Sequence, residues 1–182
     1  MRIHRWRAGL CCAALLTLGA VSLAGATGVY QTPEAFLAEV FNGAAPAPQA
    51  LWLLPELRAQ AEQILGHPLD RLRVRYWGNS DRNVWILDEI GRDQPITVGI
   101  VTSGGRIEQL RVLIFRESRG WEVRHPFFTD QFRDLSLNER QELEEPIDGI
   151  SGATLSVAAL TRLARLALML HGAAARGQPV SR

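Results

Sequence analysis

Residues 96–115 read ITVGIVTSGGRIEQLRVLIF, and this stretch decides the fold. Two runs rich in β-branched residues, Ile96 to Thr102 and Ile107 to Phe115, flank Ser103-Gly104-Gly105. Paired glycines between such runs mark a tight hairpin, because the favoured turn needs positive φ at its centre. Working backwards, Val84 to Ile90 reads as another strand. Before it, Leu72, Val74 and Tyr76 alternate with Arg71, Arg73 and Arg75, the pattern of a half-buried strand with a solvated basic face. Gly78-Asn79-Ser80-Asp81 reads as the turn between those two strands. Four successive strands joined by short turns make an antiparallel meander.

Helices bracket this meander. Thr32-Pro33-Glu34 carries an N-cap, a proline at the first helical position and an early acid, so a short helix is expected from Glu34 to Phe41. Asn42 to Gln49 reads as loop. Pro55 opens a second helix to Leu65, closed by Gly66 and Pro68. Beyond the hairpin, Phe127 to Asp134 is a short helix or turn, and Leu135 to Pro146 is a polar connection. Leu155 to His171 is a long Ala/Leu-rich helix. Arg162 and Arg165 lie in its middle, where each would cost about 2.5–3.5 kcal/mol at a bilayer centre, so a buried core helix is expected. The fold class is α+β: a twisted antiparallel sheet packed against a long C-terminal helix, with short N-terminal helices. Trp52, Trp77 and Trp85 are expected in the core.

The chain has 182 residues, 47% hydrophobic and 21% charged, with a formal charge of +1. That suits one globular domain. All 20 basic residues are arginine, which excludes lysine-based chemistry. The two cysteines are adjacent, at Cys11 and Cys12, which excludes a CxxC pair or a Cys-rich metal site. His67, His125 and His171 are scattered without metal-ligand spacing. At the N-terminus, Arg2, Arg5 and Arg7 precede an apolar centre from Leu10 to Leu23 and then Ala24-Gly25-Ala26. This reads as a signal peptide over residues 1–26, with an uncleaved membrane anchor as the alternative. Either reading puts residues 27–182 at the periplasmic or extracytoplasmic face of the inner membrane. A cut after Ala26 leaves 156 residues with no cysteine, 17 arginines and 19 acids, a net charge of −2. Nucleic acid is not an expected partner of such a chain.

The stretch that carries chemistry is Asp148-Gly149-Ile150-Ser151-Gly152-Ala153-Thr154-Leu155-Ser156. It is a small-residue turn feeding the start of the long helix. Free N–H groups and the helix dipole favour a phosphate there, and the hydroxyls of Ser151, Thr154 and Ser156 lie in the same turn. The plain structural alternative is a helix cap. A nucleophile elbow is ruled out, because no acid follows Asp148 and no strand precedes Ser151.

The segment Asp148 to Thr154 resembles the signature of the FMN-binding domain family, which includes the flavin-carrying subunits of Rnf and sodium-pumping NADH:quinone oxidoreductase complexes. Supporting likenesses are the strand–glycine turn–strand unit at 96–115, the Glu-x-x-Gly segment Glu117-Ser118-Arg119-Gly120, and Gln131-Phe132. The similarity spans about residues 84 to 171. It implies FMN joined to Thr154 by a phosphoester, installed by a flavin transferase that uses FAD. Asp148, Ser151, Gly152, Ala153 and Thr154 would form the transferase's recognition sequence. Ser151, Gly152, Ala153, Leu155 and Ser156 would surround the cofactor, with Glu117 and Trp121 as further flavin-site candidates. The resemblance implies an electron carrier between membrane and periplasmic redox partners. Rnf-type subunits usually continue the Glu segment with a Pro-Gly-Leu/Ile-Gly run, where this chain has Arg119-Gly120-Trp121-Glu122, so a small stand-alone member is expected. The competing reading is a non-redox periplasmic binding or assembly module whose SGAT turn only caps a helix.

Overall fold

A computed structural model describes residues 28–79 and 81–177. The expected signal segment and Ser80 therefore lie outside the described residues. Five strands form one antiparallel sheet in sequential order: β1 (Gln49–Trp52), β2 (Arg73–Gly78), β3 (Arg82–Ile90), β4 (Pro95–Ser103) and β5 (Arg106–Phe115). Four α-helices accompany it: α1 (Pro33–Val40), α2 (Pro55–Leu65), α3 (Pro126–Thr129) and α4 (Thr154–Ala175). The α+β class is as the sequence implied.

The 96–115 hairpin closes as read. Ser103 pairs with Arg106, and Gly104 and Gly105 have φ of 55° and 78°. The Thr32 hydroxyl caps α1 by accepting from the Ala35 N–H at 3.1 Å. Gly66 ends α2 in the left-handed conformation, φ 80°. Asn79 organises the turn into β3, its side-chain oxygen accepting from the N–H groups of Asp81 and Arg82, both at 2.9 Å.

The sheet separates two apolar layers. On one face, α4 and α2 pack over the inward side chains Trp85, Leu87, Val98, Ile100, Leu110 and Val112. On the other, Phe36 and Leu37 of α1 cover Val84, Val101 and Leu113. Gly99 permits the second packing, since a Cβ there would meet the Phe36 ring at 2.4 to 2.8 Å. By length and composition α4 is apolar enough to cross a membrane, yet 61% of its apolar window is buried in this core. Arg162 stays inside the fold by binding Glu89, at 2.9 Å, while His67 approaches the same carboxylate at 3.1 Å.

Three expectations need correction. The stretch expected to be loop up to Gln49 runs straight into β1, which pairs with β2 from Gln49↔Tyr76 to Trp52↔Arg73. Trp52 is not a core residue: it is 41% exposed, with the Arg73 guanidinium 5.7 Å from its ring centroid. Leu72 precedes β2 and is 62% exposed, so the buried face of that strand starts at Val74. Trp85 is fully buried, and Trp77 is partly buried against the α1 layer.

Candidate functional site

The SGAT turn sits where the loop after β5 meets the start of α4. Ala153 takes the N-cap position, with no side-chain cap, and Thr154 begins the helix. The first helical bond is the Val157 N–H donating to the Ala153 carbonyl, at 2.9 Å. Among the described residues, the N–H groups of Thr154, Leu155 and Ser156 find no partner. Neither Ser151 nor Thr154 caps them. A helix of 22 residues thus presents three free donors and the positive end of its dipole. Ser151, Gly152, Thr154 and Leu155 are exposed, whereas Ala153 and Ser156 are buried.

The loop after β5 forms the opposite wall. Glu117 folds back over the β3–β4 turn, and its Oε1 accepts from the N–H groups of Arg92, Asp93 (2.7 Å) and Gln94 (2.9 Å). Burial raises the Glu117 carboxyl pKa, but the three donors and the Arg92 charge outweigh that, so it lies below its ordinary value. Gly120 then turns at φ 83° and presses on α4, where a Cβ would meet Ser156 Oγ at 2.8 Å and Ala153 Cβ at 3.2 Å. The Glu-x-x-Gly segment therefore has two physical jobs: the acid fixes one turn, and the glycine allows contact with the helix start.

Between these walls lies a cavity of about 220 Å³, lined by Arg92, Glu117, Arg119, Gly152, Thr154 and Ser156 among others. Arg92 and Arg119 line this cavity together with Thr154 and the helix start, and the Arg92 guanidinium also pairs with Asp93 at 3.5 Å. Such donors suit a phosphate. Arg92 and Arg119 were not singled out from sequence. Their role needs the fold, because they sit 62 and 35 positions before Thr154.

The remaining candidates are placed nearby. Trp121 does not line this cavity. It is 44% exposed, edge-on to His125 at 5.4 Å, with Arg124 at 5.1 Å from its ring centroid. The Asp148 N–H donates to Gln131 Oε1 at 2.7 Å, so the Gln-Phe element ties down the loop leading to the motif. Phe132 of that element is fully buried.

An α+β domain with an uncapped helix start, an exposed threonine and two nearby arginines suits a phosphate-bearing ligand. Residues 91–169 match the family model described as FMN-binding domain, and that match supports FMN as the cofactor. The match spans β4, β5, the Glu-x-x-Gly loop, the SGAT turn and most of α4. No curated protein and no solved structure matches the chain.

Proposed function

We propose that this protein is an extracytoplasmic electron carrier whose FMN is held by a phosphoester to Thr154. The observation that carries the reading is the exposed Thr154 beside three unpartnered amides, Arg92 and Arg119. The cavity's size supports a covalent link. Pockets that enclose a ligand of flavin size run to roughly 300–1,000 Å³, and about 220 Å³ falls short. A cofactor held here needs a tether, and an exported carrier without one would lose it.

The chain's own residues perform the binding. The Thr154 oxygen forms the bond to phosphorus while the pyrophosphate of FAD breaks, releasing AMP and one proton. A separate transferase would do this, recognising Asp148 and the SGAT turn. The helix-start amides, Arg92 and Arg119 then neutralise the remaining phosphate charge. Glu117 positions Arg92 by fixing its turn. Bound FMN supplies one- and two-electron transfer, and the protein sets its position and potential. The donor and acceptor are membrane or periplasmic redox proteins. The lack of any side-chain cap at Ala153 speaks against the reading in which SGAT is only a helix cap.

The test is co-expression with a flavin transferase, followed by intact mass and in-gel fluorescence. The expected adduct is one FMN less one water, absent in Thr154→Ala. An unmodified wild-type mass would overturn the proposal, as would an adduct that survives the substitution.

A further inference from the structure

A cavity of about 720 Å³ lies apart from the SGAT turn, with none of residues 151–156 in its lining. It lies along β5, which is the edge of the sheet. Edge strands carry unpaired N–H and C=O groups that template pairing with another chain. Here the fold covers both ends of the edge. Toward the C-terminal end, Phe115 N–H donates to the Gly28 carbonyl at 2.8 Å, and Tyr30 N–H donates to the Leu113 carbonyl at 2.9 Å. Toward the N-terminal end, Ile107 accepts from Asp134 N–H at 2.8 Å and donates to the Leu135 carbonyl at 3.0 Å.

These bonds all use odd-numbered β5 residues. Bulges opposite Thr97/Val98 and Val101/Thr102 shift the phase of β5 between its ends, so Gln109 and Arg111, opposite Val101 and Gly99, turn their backbone into the sheet, and the backbone groups turned outward there are those of Leu110 and Val112. Neither has a backbone partner beyond the sheet among the described residues. The cavity touches five consecutive residues, Glu108 to Val112, so it follows the strand's edge and not one of its faces. Its far wall includes Arg124, His125 and Arg133.

Charge narrows the occupant. Arg111 pairs with Glu39 at 2.7 Å, and Arg133 with Asp130 at 3.5 Å. Arg124 has no carboxylate partner among the described residues. Its guanidinium lies 4.2 Å from the Tyr30 ring centroid and 5.1 Å from that of Trp121, and its Nε is buried with no hydrogen-bond partner. The aromatic rings hold the cation in place and leave its hydrogen-bonding edge unmet.

We propose that this slot binds a short extended segment of a partner protein. The segment adds as a strand to β5 through Leu110 and Val112, and its Asp or Glu side chain pairs with Arg124. The stretch from Ile107 to Leu113 has room for about four residues at strand spacing. Main-chain bonds give such a segment affinity, and the carboxylate gives it specificity.

The test uses the full chain, immobilised, against a random octapeptide library displayed with both peptide ends tethered. Enrichment of β-branched sequences with one fixed acidic position is expected. In a synthetic copy of an enriched peptide, N-methylation of a central amide, Glu→Lys in the peptide, and Arg124→Glu in the protein should each weaken binding about tenfold or more. The Lys peptide should regain affinity for the Arg124→Glu protein, which separates a recognition role from simple misfolding. No enrichment would overturn the proposal, as would binding indifferent to N-methylation. A dimer that Arg124→Glu dissociates would also overturn it, by giving the slot to a second copy.

Discussion

Replacing Glu117 probes how the loop after β5 builds the cavity beside Thr154. In the wild type one carboxylate oxygen serves three backbone donors, from Arg92, Asp93 and Gln94. A hydrogen bond to a charged group contributes about 1.5–3 kcal/mol net. The three share one acceptor and Glu117 is only partly buried, so the whole clamp is worth about 2 kcal/mol, not the sum of three bonds. Glu117→Ala removes the clamp and should cost about that much. Glu117→Gln keeps a carbonyl acceptor but loses the charge, and should cost about 1 kcal/mol. The assay is urea unfolding with amide chemical shifts. The Arg92, Asp93 and Gln94 N–H signals should move most, and flavinylation should slow as Arg92 loses its position. The pH dependence has a fixed sign. Because the folded carboxyl lies below its ordinary 4.5, its stabilisation is complete above that value and is lost as pH falls through the folded pKa. The gap between wild type and Glu117→Gln should therefore narrow below about pH 4.5. Equal stabilities at neutral pH, or unmoved amides at 92–94, would refute the reasoning.

Gly99→Ala should destabilise by about 1–3 kcal/mol, because its Cβ would overlap the buried Phe36 ring; Phe36→Leu in the same chain should recover part of that in denaturant titrations. Arg162→Met strands the 4%-exposed Glu89 with only His67 beside it, and should cost about 3–5 kcal/mol by thermal or chemical unfolding. His171 is held neutral by burial, its pKa below the ordinary 6.5, with Nε2 accepting from Gly105 N–H at 3.1 Å and Nδ1 2.8 Å from Asn83 Oδ1. Its contribution is present above about pH 6.5 and falls as pH drops from there through the folded pKa, so a His171→Gln variant should lose less stability than wild type across that range.

The sequence made the meander legible because β3, β4 and β5 are long runs rich in β-branched residues, with two glycines closing the last hairpin. The caps at Thr32 and Gly66 were legible for the same reason: each is a local residue choice with a local cause. β1 was not, because four residues with one buried side chain carry no periodicity. Leu72 misled because alternation alone does not say where pairing begins. At the site, the SGAT turn and Thr154 stood out through small residues and hydroxyls ahead of an apolar helix. The rest depends on contacts between distant segments. Glu117 grips backbone donors more than 20 residues earlier, Gly120 is shaped by Ser156, and Arg92 and Arg119 meet the helix start only once the sheet has formed.

The central claim is that Thr154 is the attachment point, and peptide mapping tests it most directly. The chain has no lysine, so trypsin cuts only after arginine, and the peptide from Gln141 to Arg162 contains Ser151, Thr154, Ser156 and Thr161 together. After co-expression with a flavin transferase, fragment ions of that peptide should place the whole FMN mass on Thr154. FMN on Ser151, Ser156 or Thr161, or on a peptide outside 141–162, would contradict the account.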